Sequence, residues 1–220
     1  AKWKVPIVIT SLGPRTELND AVHSWGGITL HDIIDDRFAR KAIEKGAHGL
    51  IAVACGAGGH AGRWSPFALV QEIRKWFDGP LALSGAIATG GAVLAATAMG
   101  ADFAYIGSPF IATPEARATP EYKQAITEGG AADIVTSALF TGVSGNYLRA
   151  SIVAAGLNPD DLPQPGPDAM NFQSATGAKA WRDIWGSGQG IGVIDKVTPA
   201  GELIARLSKE YFEAKARICG

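Results

Sequence analysis

Leu81-Ala-Leu-Ser-Gly-Ala-Ile-Ala-Thr-Gly-Gly-Ala-Val-Leu-Ala-Ala-Thr-Ala-Met-Gly-Ala-Asp-Phe-Ala-Tyr-Ile-Gly-Ser108 decides the fold. Leu81 to Ser84 is a short apolar run and reads as a buried strand. Glycines follow it at once. Gly91 to Met99 is alanine-rich, without a charge or a proline, and reads as a helix stopped by Gly100. Phe103 to Ile106 then reads as another strand, ending at Gly107-Ser108. Strand, turn, helix, strand with continuously apolar strands means parallel pairing under helical cover.

The same rhythm extends upstream. Val5 to Leu12, Ile28 to Ile34 and Leu50 to Ala54 read as strands. Thr16 to Trp25, Asp36 to Lys45 and Pro66 to Phe77 read as helices, the last with Phe67, Val70, Ile73 and Phe77 at helical spacing. Asp35 or Asp36 is the expected N-cap after His31 and Asp32, which read as lying at a strand end. Five strand–helix units precede about residue 125. Downstream the pattern changes. Tyr122 to Glu128 and Ala132 to Leu139 read as helical, and Asn158 to Asp168 is a loop with four prolines, Pro159, Pro163, Pro165 and Pro167. Gly186 to Gly192 is a second glycine-rich loop, and Thr198 to Arg217 a terminal helix with Thr198-Pro199 as its capping chemistry.

Composition excludes several classes. The 220 residues carry 47% apolar side chains and a net charge of −1, too apolar for disorder and too neutral for a dedicated nucleic-acid binder. No apolar run reaches the roughly 18 residues of a membrane span. Two cysteines make no disulfide framework, so a reducing, cytoplasmic setting is expected, with Cys55 a buried structural thiol. The histidines lack metal-ligand spacing, so no metal is expected. The chain is short for an eight-unit barrel, which takes about 250 residues. It opens Ala1-Lys-Trp-Lys-Val-Pro6 without Met; a processed terminus and a fragment both fit.

Glycine is used 28 times, about twice the average, and its clusters follow strands. Strand C-terminal ends carry the sites of parallel α/β folds. Ser84-Gly85-Ala86-Ile87 and Gly107-Ser108 read together as a phosphate site, where backbone N–H groups and the start of the helix near Gly90 attract an anion. Ordinary strand–helix turns are the alternative. His60 closes Gly56-Ala-Gly-Gly-His60, where it would face a ligand cavity as an acid–base group, while Gly58 and Gly59 let the backbone approach a flat ligand. A surface-loop histidine is the alternative. Gln189 is a candidate partner for a flavin or phosphate; a turn held by Trp181 and Trp185 is the other reading.

Ala57-Gly-Gly-His60, Ser84-Gly-Ala-Ile-Ala-Thr-Gly90, Met99-Gly-Ala-Asp-Phe-Ala-Tyr-Ile-Gly-Ser108, Phe110-Ile-Ala-Thr113 and Trp185-Gly-Ser-Gly-Gln-Gly-Ile-Gly-Val-Ile194 together resemble the nitronate monooxygenase family, formerly called 2-nitropropane dioxygenase. The motifs stand in family order across most of residues 5–195. The resemblance implies an FMN-dependent oxidoreductase on a TIM-type (β/α)8 barrel, with His60 as the active-site histidine. It implies that Ser84, Gly85, Ala86, Ile87, Gly107 and Ser108 hold the FMN phosphate, that Gly58 and Gly59 lie against the isoalloxazine, and that Gln189 closes the site. Residues 1–120 would be the C-terminal portion of the barrel, about strands 4–8, 121–195 a segment closing the flavin site, and 196–220 a terminal helix of the same domain.

Three departures qualify it. Ala86 stands where many members have a second glycine, tolerable if its N–H rather than its methyl faces the phosphate. Asp32 stands where some related NADH:quinone reductases have lysine. The first three strand–helix units of the family are missing. The implied reaction oxidises alkyl nitronates with O2 to carbonyl and nitrite. An NAD(P)H-dependent quinone or enoyl-thioester reductase, and a non-catalytic or truncated flavin-binding subunit, are the alternatives. The expected partner is a small-molecule substrate rather than nucleic acid or membrane, and a homo-oligomer is compatible.

Overall fold

The computed structural model describes residues 2–163 and 178–220. Pro165, Pro167 and Asp168 of the expected proline-rich loop lie outside the described residues. The elements run β1 (Ile7–Thr10), α1 (Thr16–His23), β2 (Ile28–Ile33), α2 (Asp36–Glu44), β3 (Gly49–Val53), β4 (Gly59–His60), α3 (Pro66–Arg74) and β5 (Leu81–Ser84). They continue with α4 (Gly90–Met99), β6 (Phe103–Ala104), α5 (Ser108–Ile111), α6 (Pro120–Glu128), β7 (Ile134–Ser137), β8 (Gly145–Leu148), α7 (Arg149–Ala154) and α8 (Ala200–Cys219). Two compact units interleave along the chain. The first comprises Ala1–Cys55, Gly62–Ser84 and Ala95–Tyr105; the second comprises Gly56–Ala61, Gly85–Leu94 and Ile106–Gly220.

The first unit is built on a parallel sheet in the order β1-β2-β3-β5-β6, chain order apart from the two-residue β4. Asp32, Ile51, Ala82 and Phe103 are successive register partners and share one face. At its centre Leu30, Ile51 and Ala82 form a buried cluster joined by Val53. At its edges the cover thins, leaving Ile7 51%, Ile9 49% and Phe103 57% exposed. The other face carries the buried Ile33, Leu50, Ala52 and Leu83.

The helices start where their caps dictate. Asp35 caps α2, its carboxylate accepting from Phe38 N–H at 2.8 Å, while Asp36 pairs with Arg40 at 2.7 Å and accepts from Trp76 Nε1 at 2.6 Å. Ser65 caps α3 with Pro66 in its first turn. Arg74 ends α3 as a clasp. Its guanidinium donates to the Gly100, Phe77 and Gly79 carbonyls and to Asp102, whose carboxylate also accepts from Leu81 N–H at 2.8 Å and so fixes the start of β5.

His31 and Asp32 lie within β2 rather than at a strand end. His31 is buried, and its Nδ1 bonds Thr10 Oγ1 on the neighbouring strand at 2.6 Å. Cys55 is half-buried, not buried. The first strand is shorter than expected, and β6 stops at Ala104, although Tyr105 N–H still donates to Leu83 O at 2.8 Å.

The second unit departs further from expectation. Ala132 to Leu139 is not a helix: a 3₁₀ turn at Ala131–Asp133 leads into β7. Ile134-Val-Thr136 is a β-branched run, and it pairs antiparallel with β8. With β4 these strands form a sheet in the order β4-β8-β7. Apolar clusters centred on Leu148, Ile191 and Ile126, and on Tyr147, Ile152 and Ile184, flank it. The terminal helix starts at Ala200, two residues later than expected, and Thr198 does not cap it. The Glu115 carboxylate takes the Ala200 N–H at 3.0 Å, and backbone hydrogen bonds, its own first and then that of Ala200, hold Glu115 below its ordinary pKa.

Among the described residues no helix is long and apolar enough to cross a membrane. The fold is α/β with a parallel sheet.

Candidate functional site

The second unit brings together most of the residues singled out in the sequence. β8 is buried throughout and supplies the platform. Its Gly145 and Asn146 pair with His60 and Gly59 of β4. Asn146 is a hub: its side-chain N–H donates to Ala57 O at 2.7 Å, its Oδ1 accepts from Thr136 Oγ1 at 2.5 Å, and its carbonyl accepts from Ser187 N–H at 3.2 Å. Both ends of the carboxamide are satisfied, as a buried amide requires.

The two glycine-rich loops meet backbone to backbone. The Gly56 carbonyl accepts from Ala86 N–H at 3.2 Å and from Gln189 N–H at 2.9 Å. A Cβ on Gly58 would stand 2.8 Å from Gly188 N, and one on Gly188 would stand 2.6 Å from Gly56 O. Both positions therefore need glycine for close approach. Ser108 Oγ accepts from Gly188 N–H at 2.9 Å and from Ser187 Oγ at 3.3 Å. Those bonds fill its two lone pairs, which leaves the Ser108 proton to donate elsewhere. Behind the late loop, the Tyr122 hydroxyl donates to Gly186 O, and its ring stacks on Trp185 with centroids 4.9 Å apart. Burial pushes the Tyr122 phenol up to about 12, so it stays a donor.

Gly58, Gly59, His60, Gly85, Ala86, Ile87, Gly107, Ser108 and Gln189 all belong to this unit. Ser84 does not; it is the last residue of β5, and its carbonyl accepts from Ala54 N–H at 2.9 Å. Two expectations need correction. Ala86 does not offer its N–H to an anion, because Gly56 holds it; Ala86 also sits at φ +54°, a conformation costly for a residue with a Cβ. The start of α4 is likewise taken: Glu210 of α8 accepts from Gly90 N–H at 2.8 Å. The Ile87 side chain is buried, so only its backbone is left for a ligand. Gly107 differs from the packed glycines. Its φ of −117° suits any residue, and a Cβ there would meet nothing within 4 Å.

His60 is half-buried. Its Nε2 lies 3.0 Å from Thr141 Oγ1, and its ring stands edge-on to Trp181 at 5.0 Å. Trp181, itself half-exposed at φ +69°, also packs beside Tyr147. The sequence reading missed Thr141, Asn146 and Tyr147. The alternating Asn146-Tyr147-Leu148 is the one local sign of a strand there.

The sequence model of the nitronate monooxygenase family matches residues 1–210. The chain belongs to the nitronate monooxygenase family. A nitronate monooxygenase from Neurospora crassa is 26% identical over 226 residues, covering 94% of this chain and 59% of the relative. Two solved structures superpose on it. FabK from Thermotoga maritima has a TM-score of 0.81 at 26% identity, covering 100% of this chain and 72% of the other. A nitroalkane oxidase from Streptomyces ansochromogenes has a TM-score of 0.81 at 28% identity, covering 97% and 66%. The chain spans about three-fifths of the length of the first curated relatives it matches, 62% and 59%.

Proposed function

We propose that this chain is the flavin-binding part of an FMN-dependent nitronate monooxygenase, which oxidises alkyl nitronates with O2 to carbonyl and nitrite. Family membership supports the reaction class. The observation that carries the site is Gly107. Neither its backbone conformation nor its packing asks for glycine, and the space a side chain would fill is open. Beside it Ser108 keeps a proton to donate. An open glycine next to a hydroxyl donor fits a phosphate.

The FMN phosphate would therefore be held by Gly107, Ser108 and the Gly85 and Ile87 backbone, with Ala86 shaping the turn through its bond to Gly56. Gly58 and Gly59, exposed and half-exposed, would face the ring system, and Gln189 would border it. When bound, FMN supplies the redox chemistry. The protein's own share falls to His60. It takes the proton from the carbon next to the nitro group when the substrate arrives as a neutral nitroalkane, and it hydrogen-bonds the nitro oxygens when the substrate arrives as a nitronate. Trp181, packed edge-on against His60, limits water on that side.

The five parallel strands read as the later part of a (β/α)8 barrel. The half-exposed Ile7, Ile9 and Phe103 on its edge strands support this, as do superpositions covering 72% and 66% of the two larger neighbours.

The test is nitrite release from the neutral nitroalkane nitroethane by the FMN-loaded chain, with His60→Asn alongside. The variant should lose about 100-fold or more, the usual share of a general base. Wild-type turnover in His60→Asn would sink the assignment. Rapid flavin bleaching by anaerobic NADH, without nitrite release, would favour the NAD(P)H-dependent reductase instead.

A further inference from the structure

The turn that leads into α4 carries backbone donors without acceptors. Ile87 and Ala88 are buried, yet among the described residues neither their N–H groups nor that of Thr89 has a hydrogen-bond partner. Three successive unpaired N–H groups are what an anion would satisfy. The turn is held on either side of them. Upstream, Ala86 N–H donates to Gly56 O at 3.2 Å. Downstream, Gly90 N–H donates to Glu210 Oε2 at 2.8 Å, from 120 positions further along the chain.

Helix α8 is pressed onto that downstream end. A Cβ on Gly90 would stand 2.1 Å from Leu207 O and 2.2 Å from Tyr211 N, so only glycine lets the turn lie against the α8 backbone. Arg206, one turn earlier on α8, lies 3.4 Å from the other Glu210 oxygen and 3.5 Å from Ala88 O. Both distances are long for hydrogen bonds, so Arg206 serves chiefly to offset the charge of Glu210. α4 also has a cap of its own, since Thr89 Oγ1 accepts from Ala92 N–H at 3.2 Å. By charge alone, a carboxylate next to a phosphate turn is a poor choice. By geometry it is a good one, because it fixes the residue after the three donors without using any of them.

We infer that Glu210 is a positioning residue for the cofactor: by holding Gly90 it keeps the Ile87, Ala88 and Thr89 N–H groups in place for the FMN phosphate. This rests on the reading of the turn as part of the phosphate site. A carboxylate that only capped α4 would stabilise the chain and treat all flavins alike. A positioning residue acts on the flavin that carries the phosphate.

Fluorescence titration of the full chain with FMN and with riboflavin, which lacks the phosphate, separates the two roles. The wild type should bind FMN more tightly than riboflavin. Glu210→Ala should lower FMN affinity about tenfold, the cost of one hydrogen bond to a charged group, and leave riboflavin affinity unchanged. Glu210→Asp keeps the charge but shortens the reach, and should lose as much. Glu210→Gln can still accept from Gly90 N–H through its side-chain carbonyl, and should keep most of the FMN affinity. Unchanged or tighter FMN binding in Glu210→Ala, or equal losses for both flavins, overturns the inference. Equal affinities of the wild type for FMN and riboflavin would instead sink the phosphate reading.

A second measurement decides the role of Glu210 without any ligand. Backbone ¹⁵N order parameters at Ile87, Ala88 and Thr89 should fall in Glu210→Ala and Glu210→Asp and recover in Glu210→Gln, with Leu50 in β3 unchanged throughout. No change at the turn, or an equal fall at Leu50, overturns the inference whether or not flavin binds.

Discussion

Each compact unit is packed internally by its own means, and the difference separates a side-chain core from a candidate site. In the parallel-sheet unit, side chains do the packing: Leu50, Ile51, Leu81 and Leu83 are essentially fully buried along adjacent strands. In the other unit, the loops that matter are packed backbone on backbone. Gly58 against Gly188, and the Gly56 carbonyl shared by Ala86 and Gln189, leave no room for side chains. A side-chain core tolerates repacking and gives stability. Backbone contacts fixed by glycine give a shape, and a shape is what a ligand needs.

The most disruptive way to probe this contrast is to empty the side-chain core. Leu50→Ala removes a fully buried leucine from β3 and should cost about 2–5 kcal/mol. Urea denaturation measures it. A loss below about 1 kcal/mol would mean that the sheet core is not the stabilising centre described here.

A smaller effect should distinguish the first unit by pH. His31 lies below its ordinary pKa of 6.5 because of burial, partly offset by Asp32. His48 lies below it because of burial and then the neighbouring His23, whose ring is 4.0 Å away. The unfolded chain therefore takes up these protons first. Above 6.5 neither histidine costs stability; as pH falls below 6.5 stability declines, and the decline levels off once the folded histidines protonate. Urea midpoints at about pH 7.5 and 5.5 should differ in that direction, and His31→Gln should narrow the gap. An unchanged gap would contradict the assignment to His31.

The same contrast explains what was legible in the sequence. The strands of the parallel sheet announce themselves as uninterrupted apolar runs, and their helices by caps such as Asp35 and by periodicity. The glycine loops stand out by composition. The site's cross-links do not, because each joins residues far apart: Asn146 to Ala57 across 89 positions, Thr141 to His60 across 81, Glu210 to Gly90 across 120. No local pattern encodes such a pair. The β-branched run in β7 was misread as helix for the same reason, since its partner strand lay beyond the expected rhythm. The Ala86 N–H and the α4 N-terminus looked free only because their acceptors were out of sight.

The central claim is that the second unit's loops hold a flavin phosphate at Gly107 and Ser108. The direct measurement is titration of FMN fluorescence with the wild-type chain and with Gly107→Val. A valine there keeps an allowed backbone and its Cβ meets no protein atom within 4 Å, so the melting temperature should change little. It fills the proposed phosphate space, so FMN affinity should fall by about tenfold or more, some 1.4 kcal/mol. Equal affinity in Gly107→Val and wild type would contradict the account.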